Sequence, residues 1–175
     1  MIKPDNIIEI FLQPGDFYFG DRYTRIRTLL GSCIAITLWH SELLIGGMCH
    51  FMLPSRGEKR AVQPDGRYGD EAIQMFLNEV TRHRTKPNEY IVKIFGGSKM
   101  FHHANVGAAR VYNTADDVTQ SCDDIACRNI NMGLRLLNDN GFVISSKDLG
   151  GTYSRHVILD IWNGDVWLRK NNSNA

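Results

Sequence analysis

Apolar residues along this chain recur with two different periods, and their order predicts strands interrupted by two helices. Ile7 to Leu12 alternates apolar with polar as a half-buried strand does, and Pro14 and Gly15 then supply a turn. Two apolar runs, Ile34 to Trp39 and Leu44 to Leu53, flank a polar break at His40, Ser41 and Glu42 and predict a β-hairpin. From Gly69 through Arg84 the spacing of Ile73, Phe76, Leu77 and Val80 predicts a helix with one buried face. Tyr90 to Phe95 reads as a strand ended by Gly96 and Gly97. A second helix is predicted from about Asp123 to Asn138, capped by Ser121 or Asp123, with Gly141 beyond its end and Ala126, Ile130, Leu134 and Leu137 on its buried face. A short strand, Phe142 to Ser146, precedes the hairpin signal of residues 155–170, where Asn163 and Gly164 are expected to supply positive φ angles. The polar stretch from Pro54 to Arg67 reads as a loop. The expected class is α+β, a strand-rich layered β core with two main helices packed outside.

The first hairpin also carries candidate chemistry. Folding it symmetrically about Ser41 and Glu42 pairs Trp39 with Leu44 and sets Cys33 opposite His50. Directly opposed residues have Cβ atoms about 4.5–5.5 Å apart, close enough for an imidazole to take a thiol proton. Cys33 thus reads as a nucleophile and His50 as its base. Cys49, next to His50, falls on the opposite face by strand alternation. Gly31 and Ser32 precede the cysteine where backbone N–H groups can point outward, as an oxyanion site or as shaping residues, with the N–H of Cys33 as a further donor.

Composition narrows the picture. The 175 residues are 43% hydrophobic and 22% charged, as in ordinary globular chains, and suffice for one domain with a real core. Twenty basic against nineteen acidic residues, without a basic block, give no footprint for nucleic acid. No apolar run is long enough to span a bilayer, and the start of the chain lacks a signal-peptide core, so a cytoplasmic protein without membrane insertion is expected. The four cysteines fit that compartment as free thiols. Cys122 and Cys127, five apart on a predicted helix, do not share a face, and His102 and His103 are sequence neighbours that point apart, so neither pair suggests a metal cage. No glycine pattern suits a nucleotide.

Several separated blocks, LLGSCIAITL, GGMCHFMLP, RYGDEAI, KIFGGSKM, CRN and DLGGTYSRHV, resemble in matching order the CheD family of chemoreceptor glutamine deamidases. The resemblance implies a single CheD-like deamidase domain over residues 1–175, with a frayed tail at 170–175. It implies a fold and catalytic pair similar to the deamidating domain of cytotoxic necrotizing factor toxins. It makes Cys33 the nucleophile and His50 the base, and places a third polar residue, a threonine in the family, on Thr28, with Arg27 as the alternative position. The implied activity is protein-glutamine glutaminase chemistry through a thioester, with weak methylesterase activity, and it needs neither a metal nor an organic cofactor. The implied partners are the cytoplasmic helical regions of methyl-accepting chemotaxis receptors, and a CheC-like phosphatase. The alternatives are a protein that mainly binds or regulates a CheC-type phosphatase, and a different cysteine hydrolase.

Overall fold

The hairpin predicted between Ile34 and Leu53 is apolar on both faces, and a strand pair of that kind needs a packed layer on each side. A computed structural model, which describes residues 2–57, 62–99 and 122–172, provides both layers. The hairpin strands β4 (Ile34–His40) and β5 (Ile45–Phe51) form the middle of a five-stranded sheet. Its remaining members are β2 (Phe17–Asp21), β6 (Ile91–Gly96) and β7 (Ile144–Leu149), in the order β2-β5-β4-β6-β7. A four-stranded sheet, ordered β1-β3-β8-β9, comprises β1 (Ile8–Leu12), β3 (Thr24–Leu30), β8 (Tyr153–Asp160) and β9 (Asp165–Asn172). The pairs β1–β3 and β6–β7 are parallel and the other neighbours antiparallel.

Strand alternation divides the core in two. Ile34, Ile36, Leu38, Cys49 and Phe51 meet helix α1 (Gly69–Arg82) through Ile73 and Phe76, and helix α2 (Ile125–Asp139) through Ile130 and Leu137. Ala35, Met48 and Phe95 point the other way, onto Leu12, Ile26, Leu30, Val157 and Leu159 of the four-stranded sheet. The architecture is therefore helices, sheet, sheet. Strand-rich α+β organisation with two main helices is what the periodicity predicts.

Several local expectations change. Strands β2 and β3 were not anticipated from the apolar pattern, although Thr24, Ile26, Thr28 and Leu30 alternate inward along β3. Two threonines on the buried side weaken the apolar contrast there. The cap of α2 is neither Ser121, outside the described residues, nor Asp123: the Asp124 side chain accepts from the Cys127 N–H at 2.8 Å. The last hairpin closes at Asp160 opposite Asp165, so its loop has four residues, Ile161 to Gly164, and of Asn163 and Gly164 only Gly164 has positive φ. Strand β9 continues to Asn172, so residues 170–172 belong to the sheet rather than to a frayed tail. Cys122 lies before α2 rather than on it, which lets it approach Cys127 to a Cα separation of 5.5 Å, and the two form a disulfide instead of remaining free. His102 and His103 lie outside the described residues.

One buried cation organises the end of the central sheet. Arg155 is fully buried on β8 and donates to Asp148 at 2.8 Å, to the carbonyl of Gly150 at 2.8 Å and to the Ser98 hydroxyl. A guanidinium so placed is tolerable because its donors are paired. The network fixes the turn Gly96 to Ser98, whose N–H groups reach the loop between β3 and β4: Gly97 donates to the Cys33 carbonyl and Ser98 to the Gly31 carbonyl, both at 2.9 Å. Gly96 has φ of 119°, and a Cβ there would run into the carbonyl oxygen of Cys33. The Gly96→Ala variant is therefore expected to lose about 2 kcal/mol or more of stability, read from urea unfolding, through backbone strain and displacement of that loop. Unchanged stability would show that the turn does not constrain the Cys33 loop.

Candidate active site

The site forms where the two sheets meet, and alternation decides which side chains reach it. On β5, Met48 and His50 face the four-stranded sheet, while Cys49 faces the helices and is fully buried among them. The Cys49 thiol is pushed up to about 12 by burial, which makes it an inert core residue. His50 lies opposite Ala35, not Cys33, because the hairpin loop has four residues, Ser41 to Leu44, with Leu44 at positive φ. The register differs by two residues from the symmetric count, and a two-residue shift preserves the face. Cys33 packs on the same inter-sheet side, one diagonal step from His50. The ladder stops at Phe51, after which the Met52 and Leu53 N–H groups both turn to the carbonyl of Arg67.

The backbone of His50 is clamped by the turn that follows β1. Its carbonyl accepts from Gly15 at 2.7 Å and its N–H donates to the Asp16 carbonyl at 3.0 Å. The imidazole is 1% exposed and contacts β3, where the Thr28 Oγ1 lies 2.8 Å from Nδ1. That hydroxyl also lies 2.8 Å from the carbonyl of Leu12, to which it can only donate. With its single proton engaged there, the hydroxyl accepts from His50, so Nδ1 carries the hydrogen and Nε2 carries the lone pair. Among the described residues, Nε2 has no hydrogen-bond partner. Arg27, the alternative third residue, points to the outer face, where it pairs with Glu9 at 2.7 Å and lies over the Phe11 ring.

Burial leaves both members of the pair uncharged at rest. Desolvation lowers His50 to about 4, with Asp16 and the Leu12 carbonyl opposing it, so the imidazole is neutral at physiological pH. Desolvation raises the half-buried Cys33 thiol, and a hydrogen bond with the Ser32 side chain only partly offsets this. The resting state is thus a thiol beside a neutral base rather than a thiolate beside an imidazolium.

The loop bearing Cys33 is held by all three carbonyls of Gly31, Ser32 and Cys33. Gly31 and Cys33 accept from Ser98 and Gly97, and the Ser32 carbonyl accepts from the Asn129 amide at 3.3 Å. The N–H groups of Gly31, Ser32 and Cys33 donate to no described residue. Sequence reasoning missed Leu12, Ser98, Asn129 and Arg155. The last three lie in blocks that carried the resemblance, which marked the segments without indicating what their side chains hold. Among the described residues, no group of three or more His, Cys, Asp or Glu side chains could hold a metal ion. No described helix is long and apolar enough to cross a membrane.

Comparison with known proteins covers nearly the whole chain. Residues 52–170 match the family model described as CheD chemotactic sensory transduction. A Pseudomonas syringae pv. tomato protein named "Probable chemoreceptor glutamine deamidase CheD" is 42% identical over 169 residues, covering 97% of this chain and 93% of the relative. A Dechloromonas aromatica protein named as a probable deamidase of the same kind is 42% identical over 165 residues, covering 94% and 89%. A third, from Leptospira interrogans, is 36% identical over 174 residues and covers 97% of each chain. The segment matched by the family model begins after Cys33 and His50, but the relatives align over nearly the whole chain. On a match of this breadth, the chain belongs to the CheD family.

Proposed function

We infer that this chain is a chemoreceptor glutamine deamidase that uses Cys33 as nucleophile and His50 as general base. The observation that carries the catalytic assignment is the orientation of His50, with Nδ1 engaged by Thr28 and a bare Nε2 on the face shared with Cys33. The substrate class comes from the relatives, which are named as chemoreceptor glutamine deamidases. As the Cys33 sulfur attacks the side-chain carbonyl carbon of a receptor glutamine, His50 Nε2 takes the thiol proton, then delivers it to the departing nitrogen. Ammonia leaves and a glutamyl thioester remains. Water, deprotonated by His50, attacks the thioester; glutamate is released and the proton returns to the sulfur. The N–H groups of Gly31, Ser32 and Cys33, which donate to no described residue, are suited to hold the oxyanion in both steps. A glutamate methyl ester would reach the same thioester with methanol leaving, so a weaker methylesterase activity belongs to the same proposal.

Thr28 acts through His50 by fixing its tautomer. A neutral resting pair suits this chemistry because the proton moves only as the carbon–sulfur bond forms. The likeness to the deamidating domain of cytotoxic necrotizing factor toxins, and a CheC-like phosphatase as second partner, belong to the same reading and rest on the family resemblance. The cytoplasm, where the helical regions of chemoreceptors lie, is the compartment it requires.

Mass spectrometry of a receptor cytoplasmic fragment incubated with the enzyme tests the assignment. Cys33→Ala is expected to abolish conversion of glutamine to glutamate, whereas Cys49→Ala keeps kcat within about threefold, since its thiol faces the helices. Conversion surviving in Cys33→Ala would overturn the assignment. Thr28→Val, similar in shape but unable to hold Nδ1, is expected to lower kcat by roughly 10-fold to 10²-fold with little change in KM. Wild-type kcat in Thr28→Val would remove Thr28 from the mechanism.

The pH dependence follows from the same burial. His50 must be neutral to accept a proton, so kcat should fall only as pH drops through about 4. Between that value and the unfolded value of about 6.5, the unfolded state binds the extra proton and the folded state does not. Stability therefore rises with pH across this window, by roughly 3 kcal/mol at most, and folding must be checked by circular dichroism alongside activity. A half-maximal kcat near pH 6.5 in folded protein would contradict a buried, neutral base.

A further inference from the structure

Asn129 is the one polar side chain of α2 that is completely buried, and its amide sits where the nucleophile loop meets the exit of the strand bearing the base. Its Nδ2 lies 3.3 Å from the Ser32 carbonyl and 3.0 Å from the Met52 carbonyl. Ser32 immediately precedes Cys33, and Met52 follows His50 by two residues. An amide nitrogen has two hydrogens, one for each carbonyl, and the reverse orientation would set Oδ1 against two acceptors, so the amide orientation is fixed. Oδ1 in turn is buried without a partner among the described residues, an arrangement that ordinarily costs about 1–3 kcal/mol. A side chain chosen for packing alone would avoid that cost, so the donor fork is the feature the site retains.

The fork matters because the β4–β5 ladder ends at Phe51 and does not extend to Cys33. Beyond that point the backbone pairing no longer fixes the distance between nucleophile and base. We propose that Asn129 is a positioning residue for catalysis: by donating to Ser32 and Met52 together, it locks the Cys33 loop to the His50 strand and keeps the loop N–H groups turned toward the substrate. It touches neither the substrate nor the reacting atoms. The proposal rests on the reading of Cys33 and His50 as the catalytic pair. The relation to Arg155 is complementary, since Arg155 braces the same loop through Ser98, whose N–H holds the Gly31 carbonyl.

Two variants and one control test it. Asn129→Asp keeps the shape but replaces the donor with an acceptor, and Asn129→Ala removes the group. Leu137→Ala truncates a fully buried residue on the same helix that has no part in the loop. Deamidation of the receptor fragment is expected to show kcat reduced about 10²-fold in both Asn129 variants, because small misplacement of reacting groups is that damaging, with KM within about threefold. Leu137→Ala should lower the melting temperature and leave kcat within about threefold at temperatures where it is folded.

Hydrogen–deuterium exchange supplies a readout independent of activity. In Asn129→Ala, exchange of the peptide covering residues 29–34 should accelerate about tenfold or more while that of α1 stays unchanged. Folded Asn129 variants with near-wild-type kcat and an unchanged loop peptide would overturn the proposal. So would a loss of kcat in Leu137→Ala matching theirs at equal destabilisation, or failure of both Asn129 variants to fold, since Asn129 would then be a folding residue. If the wild-type protein shows no deamidation at all, the functional reading fails, and the exchange result still judges the link between Asn129 and the loop.

Discussion

The bridge from the Leu12 carbonyl through the Thr28 hydroxyl to Nδ1 of His50 joins the two sheets at the site and decides what His50 can do. A threonine hydroxyl has one hydrogen, and once it is committed to a carbonyl the oxygen can serve the imidazole only as an acceptor. The lone pair of the ring is thereby assigned to Nε2. Burial then removes the charge, since desolvation of a ring at 1% exposure outweighs the opposing pull of Asp16 and the Leu12 carbonyl. Tautomer and charge state thus come from sheet packing rather than from a third charged residue.

Cys33 is held differently. Cys33 lies in a loop rather than on a strand, and its placement depends on three carbonyls gripped by two elements far apart in sequence, the turn after β6 and helix α2. With the carbonyls consumed, the amide hydrogens of Gly31, Ser32 and Cys33 are left without an acceptor among the described residues. The buried Arg155 network stabilises one of these grips at the expense of desolvating a guanidinium, and it is acceptable because Asp148, Gly150 and Ser98 satisfy its donors. The geometry of the Cys33 loop and the stability of the core are therefore coupled through the same hydrogen bonds. Cys122 and Cys127 lie at the entry to α2, where their disulfide closes a short loop ahead of the helix that carries Asn129.

Much of this was legible in the sequence because alternation is a strong signal. The faces of Cys33, Cys49 and His50 follow from period-two spacing and survive a register error of two residues, which is why a wrong hairpin loop still led to the right side of the sheet. The error itself arose from Leu44, whose left-handed φ extends the loop and which no glycine or asparagine announces. Strand β3 was hidden by its threonines, and with it the reason that Thr28 rather than Arg27 meets His50: one faces the other sheet and the other faces solvent. Asn129 could not be read from periodicity, since a polar residue on a buried helical face looks like a break in the pattern until its partners, Ser32 and Met52, are brought to it by the fold.

The central claim is that packing holds His50 as a neutral ring with hydrogen on Nδ1 and a free lone pair on Nε2. The ring nitrogens can be observed directly by long-range proton–nitrogen correlation spectra of protein labelled with nitrogen-15 in histidine, with His50 assigned by comparison with His50→Gln. Between about pH 5 and pH 8 the spectrum should show a single neutral tautomer, protonated at Nδ1 and unprotonated at Nε2, with no titration in that range. A ring protonated at Nε2, or one that titrates near the ordinary histidine value, would contradict the account.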